Sequence, residues 1–222
     1  VGTAHEGEIV ILETVRLRLR PVTMSDVDAL VDLDSDPAVM RYVSGGAATS
    51  REEIENWVLP RAQAEHRAHR TGMWTAVDRT TSTFRGWFLL RAPRHSNQPE
   101  LELSYRLRRD AWNQGLATEA ARALMTMSFQ EISTDRIFAS TMAANMASRR
   151  VMEKIGMRLS AIRMSDDELI FGAGGGEVEY ELLRSHWETT TMRWSTPSAP
   201  SWRPVAPAGW SYRHGPLSDL TA

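Results

Sequence analysis

The sequence predicts an α+β domain of about seven strands flanked by about four helices, with a C-terminal extension. Three observations carry that expectation. Short apolar runs recur at a period of two. Helical stretches open behind capping residues. One stretch, Glu100 to Gln130, passes from the first period to the second within a single glycine-bearing turn. A chain of 222 residues accommodates one such domain plus an extension. The expected division is a flexible segment over 1–8, the domain over 9–187, and a Pro/Trp-rich extension over 188–222.

Ile9 to Arg20 reads as the first strand. Val15, Leu17 and Leu19 alternate with Arg16, Arg18 and Arg20, and Pro21 ends the pattern. Thr23 with Asp26 forms a capping box for a helix over Ser25–Ser35. Asp32, Asp34 and Asp36 have the spacing of a calcium loop. Pro37 stands where the tight-turn glycine belongs and Val43 where the bidentate glutamate belongs, so they read as a solvated helix end. Ser50 and Glu53 make a second capping box, opening a helix towards Arg70 that carries Ile54, Trp57 and Val58, with a kink at Pro60. His66 and His69 lack a third ligand pattern and read as surface histidines.

Gly72–Val77 and Thr83–Leu90, joined by Asp78–Ser82, read as a hairpin. The loop Ala92–Pro99 leads to the central strand, where Leu101, Leu103, Tyr105 and Leu107 alternate with Glu102, Ser104 and Arg106. The turn Asp110–Gly115 opens a helix with Ala117, Ala120, Ala121, Leu124 and Met127 on one face. Arg136–Thr141 is a short strand. Asn145 caps a helix through Lys154, and Gly156 lies just past its end. Strands near Met157–Met164 and Glu177–Leu183 flank the glycine-rich Phe171–Gly176. No helix follows that loop, so it reads as a hairpin connection, not a phosphate cradle. The tail, with Trp194, Trp202 and Trp210 among its prolines, is expected to lie along the domain or a partner subunit.

The net charge of −2, with both signs interspersed, gives no whole-protein attraction for nucleic acid or an anionic membrane. The absence of cysteine excludes disulfides and thiolate catalysis and fits a reducing cytoplasm. No apolar run approaches a membrane span, and VGTAHEGEIV lacks the regions of a signal peptide. A soluble, cytoplasmic chain is expected, and a homodimer is compatible with it.

The central strand–turn–helix has a definite physical use. The first helical turn offers unpaired N–H groups and the positive end of the macrodipole, which attract a phosphate. Gly115 lets the backbone approach closely, and the small Ala117 leaves room. The run from Arg108 to Ala120 (RRDAWNQGLATEA) resembles the acyl-CoA-binding motif of the GNAT N-acetyltransferase superfamily, in the branch containing the ribosomal-protein N-terminal acetyltransferases. Glu13–Pro21 is similar to that branch's opening strand, and Ser35–Tyr42 to its segment between the first helices. Asn145–Met157 resembles the late N-x-x-S…E-K-x-G motif, and Glu177–Trp187 the final strand. The superfamily's common form is Q/R-x-x-G-x-G/A. Here Trp112 stands at the Gln/Arg position and Asn113 where glycine is frequent, a departure that bears on affinity because backbone amides hold the phosphate.

The resemblance implies a GNAT fold, a mixed, mostly antiparallel twisted sheet. It also implies acetyl-CoA as co-substrate, no metal, and an amine acceptor. Amides across Asn113, Gln114, Gly115, Leu116, Ala117 and Thr118 would hold the diphosphate, with the Thr118 hydroxyl adding a bond. Pantetheine would pair with the strand at Tyr105, Arg106 and Leu107, and Asn145 would bond its arm. Arg149, Arg150 and Lys154 either neutralise the 3′-phosphate or form a solvated basic face. Acyl transfer to an amine then needs alignment, an oxyanion site near Leu103–Tyr105, a base and an acid. Glu102 is the first candidate base and Glu100 the alternate, against the reading that they are outward carboxylates. Glu119 is expected to support the helix N-terminus by its charge. Ser148 is the candidate acid, against a hydrogen bond within its own helix, and Tyr105 is a further candidate. The acceptor is a protein N-terminus or a small-molecule amine. The competing class is a non-catalytic acyl-CoA sensor. A phosphotransferase is disfavoured because no phosphate-loop lysine follows Gly115.

Overall fold

The computed structural model describes residues 11–93, 96–164 and 176–194. The 1–8 segment, the Phe171–Gly176 loop apart from Gly176, and the tail beyond 194 lie outside the described residues.

A single eight-stranded sheet runs in the order β1-β2-β3-β4-β5-β6-β8-β7. Its strands are β1 (Leu12–Glu13), β2 (Leu17–Pro21), β3 (Gly72–Asp78), β4 (Phe84–Arg91), β5 (Glu100–Leu107), β6 (Arg136–Met142), β7 (Arg158–Met164) and β8 (Gly176–Leu183). Every neighbouring pair is antiparallel except β5 with β6. The eighth strand arises where one was expected. Thr14 Oγ1 accepts from Leu17 N–H at 2.9 Å, and Thr14 N–H donates to Leu17 O at 2.8 Å. These bonds reverse the chain inside the predicted Ile9–Arg20 strand, and β1 folds back on β2 with Leu12 opposite Leu19. Local side-chain bonding overrode an unbroken alternation.

Helices cover the two faces of the sheet unequally. On one face α5 (Leu116–Glu131) and α6 (Met146–Lys154) pack on Leu19, Trp74, Phe88, Leu103 and Ile137 through Ala120, Leu124 and Met152. On the other, α1 (Val27–Asp34), α2 (Pro37–Met40), α3 (Arg51–Glu53) and α4 (Leu59–His69) frame a second, smaller core with Leu30, Leu33, Ile54, Met73 and Trp87. The alternating pleat permits this, since Trp87 and Phe88 are neighbours in β4 yet belong to opposite cores. The last helix, α7 (Arg184–Trp194), was not expected. It passes through the anticipated boundary at 187/188 and stacks Trp187 against Phe129, ring centres 5.2 Å apart.

The expected capping residues are used, Ser50 forming one half of its box. Thr23 and Asp26 form a complete capping box. Ser50 Oγ accepts from Glu53 N–H and Asn145 Oδ1 from Ser148 N–H. The end of α6 is a Schellman turn: Gly156 at φ 90° lets Met157 N–H reach Met152 O and Gly156 N–H reach Glu153 O, each at 3.0 Å. The expected helix from Ser50 to Arg70 is not uniform. A π turn over Ile54–Val58 separates α3 from α4, and Pro60 is the second residue of α4, directly behind that turn. His66, expected at the surface, is half-buried. It bonds Thr71 O and meets the Trp74 ring edge-on, and burial holds its pKa below the usual histidine value.

Candidate active site

The central motif is organised as a wedge. β5 and β6 pair in parallel only over Glu100–Glu102 and Arg136–Phe138. Both strands then continue, β5 to Leu107 and β6 to Met142, without pairing to each other. Two strand edges therefore face a gap with backbone donors and acceptors that need partners. Their other edges are occupied, by β4 along Leu103–Leu107 and by β8 along Ala139–Met142.

The wedge opens towards the start of α5. After a 3-10 turn at Arg109–Ala111, Asn113 and Gly115 both adopt left-handed backbone, φ 58° and 77°. Gly115 is the N-cap, no side chain caps it, and the first ladder bond is Glu119 N–H to Gly115 O at 3.0 Å. The amides of Leu116, Ala117 and Thr118 precede that ladder, as a phosphate cradle requires. A Cβ on Gly115 would meet only Arg16 Nη2, 3.6 Å away, so the demand for glycine comes from its backbone angle and from whatever approaches the turn. Trp112, at the motif's Gln/Arg position, donates its indole N–H to Leu107 O at 2.8 Å and closes the end of β5.

Sequence reasoning missed the cation at this turn. Arg16, in the reversal between β1 and β2, donates from Nη1 to Gln114 O at 2.8 Å and from Nε to Glu119 Oε2 at 2.7 Å. Glu119 also accepts from Thr14 Oγ1 at 2.6 Å and Arg16 N–H at 2.8 Å. Burial disfavours the Glu119 carboxylate, but the bonds from Thr14 and Arg16 outweigh it and hold its pKa below the ordinary value. Arg16 reads as one more polar residue of a strand, and only the fold brings it beside residues a hundred positions away.

The aspartates that resembled a calcium loop have a different place. Asp34 pairs with Arg106, Asp32 with Arg108, and Asp36 with Arg109 at 2.8 Å. Asp36 also caps α2 by accepting from Ala38 N–H. Three arginines at the end of β5 and the start of the turn are thus held to the end of α1. Among the described residues, no group of three acidic, histidine or cysteine side chains could hold a metal.

The candidate acid and base stand on opposite faces of β5. Tyr105 faces α6, where its hydroxyl lies 2.9 Å from Ser148 Oγ and donates to Ser148 O at 3.2 Å. Burial pushes the Tyr105 hydroxyl up to about 12, eased by the Ser148 bond. Glu102 is the last β5 residue paired with β6, at the apex of the wedge, and its Oε2 accepts from Arg91 Nε at 2.8 Å. Glu100 is tied to Arg136 at 2.6 Å, and its pKa is lowered by the Ser96 hydroxyl and by Arg136 against the opposing effect of burial. Arg136 also reaches Glu179 and Glu181, and Arg163 joins Glu179 to Glu177, so Glu100 belongs to a six-membered ionic cluster.

The remaining expected contacts fall unevenly. Arg106 turns away from α5, lying 4.9 Å over the Trp87 ring, so only its backbone borders the gap. Leu107 is buried, and its carbonyl is the one taken by Trp112. Asn145 uses Oδ1 as a helix cap and donates from Nδ2 to Thr141 Oγ1 at 3.1 Å, beside the β6 edge. Arg149 bonds Tyr180 Oη and Ala143 O, whereas Arg150 and Lys154 are exposed.

On the face opposite α5 a cleft of about 510 Å³ lies over β3–β5. Leu30, Met40, Trp57, Trp87 and Leu89 line it, and Arg91 and Arg106 form its polar floor. Arg106 belongs to the unpaired half of β5, so cleft and wedge adjoin.

A family model described as an acetyltransferase (GNAT) domain matches residues 16–158. The chain is 29% identical over 219 residues to FsC-acetyl coenzyme A-N(2)-transacetylase of Aspergillus fumigatus, covering 90% of this chain and 91% of that protein. A GNAT-family acetyltransferase structure from Bacillus anthracis superimposes with a TM-score of 0.68 at 23% identity, over 79% of this chain and 99% of that one. The ribosomal-protein alpha-N-acetyltransferase RimL, solved in complex with coenzyme A, gives a TM-score of 0.67 at 21% identity, over 81% and 99% of the two chains.

Proposed function

This chain belongs to the GNAT acetyltransferase family, and from that premise we propose that it transfers an acetyl group from acetyl-CoA to a primary amine by direct attack within a ternary complex. The acceptor is a protein N-terminus or a small-molecule amine. One observation carries the reading: β5 and β6 separate after three paired residues, and the gap opens onto an uncapped helix N-terminus behind a left-handed turn. An extended arm bearing amides fits between the two edges as a further strand, and a diphosphate fits the amides of Asn113–Thr118. Arg16 supplies the nearby positive charge.

The residues at the wedge divide the chemistry between the faces of β5. The thioester carbonyl lies against the backbone near Leu103–Tyr105, whose amides stabilise the developing oxyanion. The neutral amine enters from the cleft side and its nitrogen bonds the carbonyl carbon. Glu102, through a water, takes the proton that nitrogen sheds; Oε1 is free of the Arg91 bond to do so. The carbon–sulfur bond breaks, and the thiolate accepts a proton from Ser148 Oγ, which Tyr105 holds in place, while solvent returns a proton to that oxygen. No covalent enzyme intermediate is required, consistent with a chain lacking cysteine. Alignment of thioester and amine supplies the larger share of the rate.

Release of free CoA thiol from acetyl-CoA, measured with and without primary amines, tests the reading. Amine-dependent release supports it. Saturable acetyl-CoA binding with no release for any amine would leave the acyl-CoA sensor as the correct account.

A further inference from the structure

Glu102 shares its face of the sheet with a cation. We propose that Arg91 is a positioning residue for Glu102: it orients the carboxylate and cancels its charge, so that the ammonium form of the acceptor is not captured beside the thioester. The inference rests on acetyl transfer with Glu102 as its base, and it adds one residue to that site.

Geometry is the first argument. Arg91 and Glu102 are direct cross-strand partners in β4 and β5. Arg91 Nε and Nη2 lie 2.8 and 2.7 Å from the same oxygen, Oε2. A guanidinium meeting a carboxylate fork to fork gives one N–H to each oxygen. Here both nitrogens converge on one, and among the described residues no donor bonds Oε1. The carboxylate is thus gripped by one oxygen while the lone pairs of the other stay open. Both residues belong to interior strands of the sheet, so the pair holds its direction on backbone fixed by a ladder on each side.

Charge is the second. Transfer needs a neutral nitrogen, yet an alkylamine at neutral pH arrives almost wholly as ammonium. A bare carboxylate at the apex of the wedge would bind that cation and keep the proton on nitrogen. Such a bond is made in the ground state and lost in the transition state, so it slows the reaction. The surroundings would strengthen the capture. Two residues before Glu102, Glu100 belongs to the cluster in which four carboxylates share Arg136 and Arg163. That cluster has a surplus of negative charge, whereas Glu102 is matched one to one by Arg91.

Placement is the third. Arg91 lines the cleft over β3–β5 and Glu102 does not. The guanidinium is also the more exposed member of the pair, 37% against 21%. An acceptor moving from the cleft towards the gap between β5 and β6 therefore meets the cationic end first. That end repels ammonium and lets the neutral amine pass to Oε1.

The experiment follows CoA release with phenethylamine, 1,4-diaminobutane and a tetrapeptide bearing a free N-terminus, and carries the fastest of the three into Arg91→Met, Arg91→Lys, Glu102→Gln and the double variant Arg91→Met/Glu102→Gln. Arg91→Met should lower kcat about tenfold. It should also lower the acceptor KM about threefold, because the unpaired carboxylate now holds ammonium in the ground state. Arg91→Lys keeps the charge and loses the two-nitrogen grip, so the acceptor KM should return to the wild-type value and kcat only in part. In the Glu102→Gln background Arg91→Met should cost nothing further in kcat, since it acts through the carboxylate. Acetyl-CoA affinity by calorimetry should not move. A merely structural Arg91 would lower the melting temperature, shift every constant together and multiply its loss with that of Glu102→Gln. That pattern, an acceptor KM that rises in Arg91→Met, or unchanged constants overturns the inference. An unaltered kcat in Glu102→Gln alone removes the base and this inference with it, while amine-dependent release leaves acetyl transfer standing. No release with any of the three amines, together with no acetyl-CoA binding, overturns the transfer reading itself.

Discussion

Replacing Glu119 with alanine tests how the coenzyme turn is held. The carboxylate accepts three hydrogen bonds, from Thr14 Oγ1, the Arg16 N–H and Arg16 Nε, and forms an ion pair with Arg16 Nη2, all between 2.6 and 2.8 Å. They do not contribute equally. The Thr14 hydroxyl can redirect its proton to Leu17 O, already 3.1 Å away, so its loss is small. The Arg16 N–H is exposed and gains water. The guanidinium is half exposed, which reduces a charge-assisted bond towards the value of a surface pair. Together these give a destabilisation of about 2 kcal/mol, or a fall in Tm of about 4–8 °C for a domain of this size. The acidic limb follows from the sign of the shift. Because the folded-state pKa of Glu119 is lowered, its contribution is complete above the unfolded value and is lost as pH falls through the folded one. The difference between wild type and Glu119→Gln in thermal melts should therefore be full at neutral pH and shrink progressively below about pH 4. Coenzyme affinity by calorimetry should weaken as well, since Arg16 loses the partner that aims it at Gln114. A melting temperature unchanged at neutral pH, or a difference that grows on acidification, would refute the reasoning.

Three further substitutions address the proposed chemistry. Gly115→Val should abolish coenzyme binding in calorimetry while the far-ultraviolet spectrum stays that of a folded domain, at a stability cost of about 1–2 kcal/mol from the φ of 77°. Glu102→Gln should lower kcat at neutral pH by about tenfold or more while leaving acetyl-CoA affinity nearly unchanged, and an unaltered pH–rate profile would place the base elsewhere. Tyr105→Phe should lower kcat with little effect on the acetyl-CoA KM and destabilise the domain by about 1 kcal/mol. Its hydroxyl, pushed up to about 12 by burial, stays protonated through the assay range, so wild type should show no alkaline limb from this group below about pH 10.

What could be read from the chain was what is written in local pattern. The change of period between Tyr105 and Leu116 marks the strand–turn–helix because backbone geometry imposes it on side chains over a few residues. Thr23, Ser50, Asn145 and Gly156 announced helix ends for the same reason. The reversal at Thr14–Leu17 was hidden because period two continues through it, and a hydroxyl bond leaves no trace in hydrophobicity. The strand at Glu177–Leu183 was read to its true end, but the resemblance grouped Trp187 with that strand, and so the helix at Arg184 escaped. At the site, the coenzyme turn is a contiguous motif and was legible. The cleft is assembled from α1, the π turn and three strands, so no window of sequence contains it. Arg16 and the three aspartate–arginine pairs escaped notice likewise, because charged residues on strands and helix ends look alike until their partners are known.

The parting of β5 from β6 has a mechanical corollary. Because no peptide bonding spans the gap, its width is fixed by what grips each strand from behind. For the outer half of β5 that includes the pairs from Arg106, Arg108 and Arg109 to α1 and the turn after it. The aperture is thus braced by ion pairs that run from the buried Arg106–Asp34 beside the second core to the more exposed Arg108–Asp32, and not by the peptide ladder between the two strands.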